Sequence, residues 1–174
     1  MFVSLYPHPS EFKKSEMKYV MFLHTEGEKI KARKLRDYLQ GRLWNIADLR
    51  TIAQISAEEQ DFRCELRCHG DCVVLVASHH TSSLIKGRQQ EADDDLLTFD
   101  GKVINEEFTG NKEFIDKLII VYLTDERASD DWIPDDLDEK RIFNLQGEKI
   151  VESPLLYQLE YSIRKILLGD SFVM

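Results

Sequence analysis

Short apolar runs alternate with amphipathic stretches along most of this chain. Tyr19–Leu23 (YVMFL), Cys72–Ala77 (CVVLVA) and Leu118–Leu123 (LIIVYL) are apolar throughout. Such runs, without polar alternation, predict strands covered on both faces. Asn45–Ile52 predicts a weaker strand, and Arg141–Leu145 a short one at an edge. Between the first two strands, Glu28–Leu43 sets Ile30, Leu35, Leu39 and Leu43 at near-helical spacing among basic residues, which predicts an amphipathic helix burying those four. Ser56-Ala57-Glu58-Glu59 is a capping box, with Phe62 and Leu66 one turn apart beyond it. Val103–Phe114 predicts a helix, and the segment from Ser78 to that helix reads as loop and acidic insertion. Ser153 followed by Pro154 marks a helix start, Leu155, Leu156, Leu159, Ile163, Ile166 and Leu167 form its stripe, and Gly169 stops it.

Buried strands alternating with amphipathic helices predict an α/β fold: a flavodoxin-like three-layer sandwich with a five-stranded, mainly parallel sheet in the order 2-1-3-4-5. Residues 1–17, with Pro7 and Pro9, read as an extended or disordered arm, and 18–170 as a single domain.

Charge sharpens the picture. A net charge of −9 over 174 residues excludes nonspecific binding to nucleic acid or anionic membrane. Acids concentrate at Glu91–Asp95 and Asp125–Glu139, bases at Lys29–Arg42. That asymmetry suits charge-complementary association, though a solvated helix face has the same composition. No apolar run reaches the roughly 20 residues that span a bilayer, so no membrane insertion is expected. The N-terminus lacks a signal-peptide pattern, which makes the cytoplasm the expected location. Three cysteines fit reduced thiols better than a disulfide framework.

Three stretches carry a resemblance to a known family. They are Cys72–Leu84 (CVVLVASHHTSSL), Gly101–Phe108 (GKVINEEF) and Leu118–Leu137 (LIIVYLTDERASDDWIPDDL). In their order the chain resembles SEFIR domains, found in cytokine receptors and a cytoplasmic adaptor, and more remotely TIR domains, over roughly Lys18–Leu168. It departs from them in leading from the first strand into His24-Thr25, and in having Val103-Ile104 in place of a tryptophan-cysteine pair. The resemblance implies a cytoplasmic module of signal transduction, of the innate-immune kind, that associates with itself or with another SEFIR/TIR-type domain. Its interaction residues would be Lys31 and Arg33 on the basic helix, meeting an acidic surface such as Asp93, Asp94 and Asp95 in the acidic insertion or Asp130–Asp136 beyond the fourth strand, and Ile52 and Ile55 as apolar anchors, unless one or both isoleucines fold inward.

The resemblance also implies an alternative in which NAD is the substrate. In NAD-cleaving TIR domains a glutamate at the position of Glu107 is catalytic, and a carboxylate there can stabilise the cationic sugar centre as the glycosidic bond breaks. Thr25, Glu26, Gly27, Ser78 and His79 would surround it, at the crevice beyond the first and third strands. The stronger reading of Glu107 is a structural or solvated glutamate, shared with non-enzymatic relatives. A third reading is a flavodoxin-like binder of a small ligand at the same crevice.

Other constellations fall short. Cys64, Cys68 and Cys72 lie four residues apart, but Cys72 begins a strand and no second C-x-x-C completes a zinc site, so no metal and no resident cofactor are expected. Ser78-His79-His80 lacks a G-x-S-x-G elbow. His24–Glu28 holds one glycine and two acids, too few glycines and the wrong charge to cradle phosphate.

Overall fold

The computed structural model describes residues 17–51, 62–87, 99–124, 131–146, 149–150 and 153–169. Its sheet comprises β1 (Lys18–Leu23), β2 (Ala47–Thr51), β3 (Cys72–Ala77), β4 (Leu118–Tyr122) and β5 (Ile142–Asn144). The strands lie in the order β2-β1-β3-β4-β5, every pair parallel. This is the flavodoxin-like arrangement expected from the alternating pattern. Helices follow as α1 (Lys29–Leu43), α2 (Phe62–Cys64, continued by a π-helical turn Glu65–His69), α3 (His79–Ile85), α4 (Gly101–Gly110), α5 (Lys112–Asp116) and α6 (Pro154–Leu168).

β3, β4 and the buried part of β1 from Val20 to Leu23 are apolar because both faces are covered. Val20 and Phe22 of β1, Val74 and Val76 of β3, and Ile119 and Val121 of β4 pack with Leu35 and Leu39 of α1 and Leu159 and Ile163 of α6. Met21, Leu23, Val73, Leu75 and Ile120 pack with Leu66, Ile85, Ile104 and Phe114 on the opposite side.

The weaker β2 is an edge strand, and α1 covers its backbone. The Gln40 amide donates to Ala47 O and accepts from Leu49 N, both at 2.8 Å, while Arg36 Nε donates to Leu49 O at 2.9 Å. A side chain thus occupies edge groups that would otherwise recruit a foreign strand.

Three expectations change. Ile30 is 74% exposed; the buried stripe of α1 is Ala32, Leu35, Leu39 and Leu43. At about 100° per residue, Ile30 lies about 140° around the helix from Leu35, so it faces solvent. The segment after β3 is helical: Ser78 caps α3, its Oγ accepting from Thr81 N at 3.1 Å. The single helix expected over Val103–Phe114 is two, because Asn111 ends α4 and caps α5, its Oδ1 accepting from Phe114 N. The capping box at Ser56 lies outside the described residues.

Candidate functional site

The residues proposed around a common pocket occupy two separate places. Where β1 and β3 end, polar side chains turn inward and satisfy one another. His24 is buried and its Nδ1 meets Thr25 O at 3.0 Å, which makes Nδ1 the protonated nitrogen. Thr25 Oγ1 donates to Glu28 Oε2 at 2.7 Å and lies 3.4 Å from Ser78 Oγ. Ser78 Oγ in turn lies 3.1 Å from Thr81 Oγ1, which donates to Val76 O at 2.9 Å. Thr25 and Thr81 commit their hydroxyl protons to Glu28 and Val76 O, so the single Ser78 proton serves one of them at a time, and the three hydroxyls form a buried polar cluster at the crevice. Gly27 and His79 are exposed, so Ser78 and His79 face apart; Glu26 pairs with Lys29 at 3.7 Å.

Glu107 sits elsewhere. It lies late in α4, with a side chain that is 0% exposed. Arg67 approaches Oε1 through both Nε and Nη2 at 2.8 Å, and Asn111 Nδ2 donates to Oε2 at 2.8 Å. Arg67 belongs to the turn that enters β3, and Asn111 to the segment that enters β4. Lys117, the residue before β4, donates to Leu66 O and Gly70 O of that same turn. This cluster therefore marks the amino end of the strands, whereas Thr25 and Ser78 lie at the carboxyl end. The six residues of β3 separate them by roughly 17–20 Å. Both oxygens of Glu107 are engaged in holding α4 to the entry of β3, an architectural task.

The interaction residues divide as well. Lys31 and Arg33 are both exposed, but two residues apart on a helix lie about 160° apart around its axis. Lys31 leans across toward β4, its Nζ 3.4 Å from Leu123 O. Arg33 shares the outer face with Ile30, Lys34 and, at the helix end, the 65%-exposed Trp44. Ile52, Ile55, Asp93, Asp94 and Asp95 lie outside the described residues.

Sequence reasoning missed Arg67 and Asn111 as the partners of Glu107, although Gly110-Asn111 is a helix-stop and cap signal that placed Asn111 beside it. Of the acidic stretch Asp130–Asp136, expected as the alternative surface for the basic helix, the structure describes 131–136. Trp132 and Leu137 are buried and peg the β4–β5 loop to the core. Between them Leu137 N donates to Pro134 O at 3.1 Å, a turn whose two central residues are the exposed Asp135 and Asp136. Neither these two nor the nearby exposed Glu139 makes an ion pair among the described residues.

The two cysteines whose side chains are described, Cys64 and Cys72, differ in kind. Burial pushes the Cys72 thiol up to about 12, while Cys64 is exposed. The thiolate is the reactive form. We expect Cys64 in the folded protein to react with a thiol reagent at about pH 8 while Cys72 stays unmodified until denaturant is added, as peptide mapping would record. Early labelling of Cys72 would contradict its place in the core.

No helix among the described residues is long and apolar enough to cross a membrane. No protein-family model, curated protein or solved structure matches this chain.

Proposed function

We propose that this chain is a cytoplasmic signalling module of the SEFIR/TIR kind, acting by head-to-tail association with further copies of itself and scaffolding rather than catalysing. The observation that carries the reading is a pair of complementary surfaces on one chain whose charges make no ion pair among the described residues. The outer face of α1 presents Arg33 and Lys34 beside Ile30, with Trp44 at the far end. The β4–β5 turn presents Asp135 and Asp136, with Glu139 close by. Exposed apolar and aromatic side chains beside cations have the composition of an interface centre. Unlike surfaces that meet head to tail form open chains or rings rather than closed pairs. Two further observations support scaffolding. The sheet edge at β2 is occupied by Gln40 and Arg36, which directs association to side-chain surfaces. Glu107, the carboxylate available for NAD cleavage, is committed to Arg67 and Asn111.

A net charge of −9 opposes self-association over long distances, but a contact pair acts inside the screening length. At about 0.15 M salt that length is about 8 Å, so net repulsion is damped while contacts survive; at about 1 M it is about 3 Å, and contacts weaken too. Light scattering on concentrated protein should therefore give a mass above the monomer at about 0.15 M salt, falling toward the monomer at about 1 M. Arg33→Glu should bring the mass to the monomer at the lower salt with the fold intact. A monomer at every concentration at about 0.15 M salt would overturn the reading.

A further inference from the structure

A cleft of about 790 Å³ lies between α1 and the segment that follows β5. Its apolar lining is Leu123, Leu145 and Ile150. Leu123 is the first residue after β4 and Leu145 the first after β5, so the cleft opens at the carboxyl ends of parallel strands. Open α/β sheets bind ligands at that end, and small-molecule sites have this range of volumes. The Tyr38 side chain contributes an aromatic surface.

Around this apolar lining stand three ammonium groups, those of Lys31, Lys34 and Lys149. None makes an ion pair among the described residues; the one bond recorded for them is Lys31 Nζ on Leu123 O, which turns that side chain toward the cleft. The single lining carboxylate, Asp37, is engaged by Arg36 Nη1 at 3.1 Å. In a chain of net charge −9, three cations around one cleft with one neutralised acid reverse the local field. Ammonium groups act as point charges with rotatable donors, and several together neutralise the multiple charge of a phosphate or diphosphate.

We propose that this cleft binds a phosphorylated small molecule, its phosphates between Lys31, Lys34 and Lys149 and a flat apolar portion on Leu123, Leu145 and Ile150 beside the Tyr38 ring. The site is distinct from the buried hydroxyl cluster at the β1–β3 crevice. It shares Lys34 with the association face but leaves Ile30, Arg33 and Trp44 free, so Arg33→Glu tests self-association without touching the cleft, and loss of ATP binding is read separately from loss of assembly.

The test is calorimetric titration of the full chain with three probes: ATP, inorganic pyrophosphate and adenosine. ATP should bind more tightly than pyrophosphate, which lacks the flat apolar portion, and adenosine should show no binding at the same concentrations. Lys34→Ala combined with Lys149→Ala changes two exposed residues and should weaken ATP binding by about tenfold or more, the loss expected for hydrogen bonds to a charged group. An unchanged thermal melt of the double variant would exclude a folding defect. No binding of either phosphate at millimolar concentration would overturn the proposal. So would ATP binding indifferent to the two lysines, and pyrophosphate binding as tightly as ATP would overturn the apolar half of the assignment.

Discussion

Gly101→Ala is expected to be among the most damaging single-methyl additions this protein can receive. An ideal Cβ at Gly101 would lie 2.7 Å from Ile85 N, and closer still to the carbonyl carbon and oxygen of Leu84. All three are backbone atoms, so no side chain can rotate away. Relief requires α3 and α4 to separate, which opens the packing of Ile85, Ile104 and Phe99 against the sheet. Overpacking of this kind costs about 1–3 kcal/mol, and rigid backbone on the receiving side places Gly101 at or above the upper end. That is a large part of the roughly 5–15 kcal/mol that holds a domain folded. Gly41→Ala is the control, because its Cβ would meet nothing within 4 Å on the outer face of α1. There the change should stabilise by about 0.5–1 kcal/mol through helix propensity. Urea denaturation of both variants checks the contrast; equal midpoints would contradict the close approach of α3 and α4.

The second large effect is at Glu107, and it is one of stability. Glu107→Ala removes the acceptors of Arg67 and Asn111 and leaves a void. Arg67 is 53% exposed and can turn to water, so the loss should fall below that of a fully buried ion pair, at about 2–3 kcal/mol. Glu107→Gln is more informative. Its amide oxygen can still accept from Arg67, but its amide nitrogen then faces Asn111 Nδ2, donor against donor. Asn111 cannot flip without losing its Oδ1 bond to Phe114 N, which caps α5. A cost of about 1–2 kcal/mol follows, in the range for a buried donor left unmade. Adding Asn111→Asp supplies an acceptor that serves both the cap and the new amide, so the double variant should recover at least half the loss. Additive losses in the double-mutant cycle would contradict the geometry.

How far the sequence discloses this molecule follows from which residues carry a periodic signal. β3, β4 and β1 beyond Lys18 are legible because burial on both faces leaves them apolar. β2 is faint because an edge strand keeps polar positions: Asp48 and Arg50, two residues apart on one side, pair at 3.0 Å. Ile30 misleads because five residues separate it from Leu35, close enough to a helical repeat to look in register but far enough to face solvent. α3 is hidden because His79–Ser83 has no apolar residue; Thr81 and Ser82 are buried there, and the Thr81 hydroxyl returns to the backbone at Val76 O. Asn111 breaks the α4–α5 stretch while the apolar pattern runs through it.

The site was less legible than the fold. Glu107 was identified as a carboxylate of interest, but its role depends on Arg67, forty residues away and on another element. The lysine cleft joins two residues of α1 to Lys149, more than a hundred positions later, and no local pattern links them. The charge asymmetry was visible as composition. Which charges lack an ion pair among the described residues, and that Asp135 and Asp136 stand at the tip of a pegged turn, required the packing of Trp132 and Leu137.

The central claim, head-to-tail association through the α1 face and the β4–β5 turn, is tested most directly by complementation between two neutralised variants. One carries Ile30→Ser and Arg33→Ser, the other Asp135→Ser and Asp136→Ser; all four residues are exposed, so both variants should fold. Each retains one of the two surfaces. Light scattering should find each variant monomeric alone and a one-to-one complex on mixing that does not grow further, because only one productive contact remains. Two monomers that stay monomeric on mixing, or variants that assemble as well as the parent chain, would contradict the account.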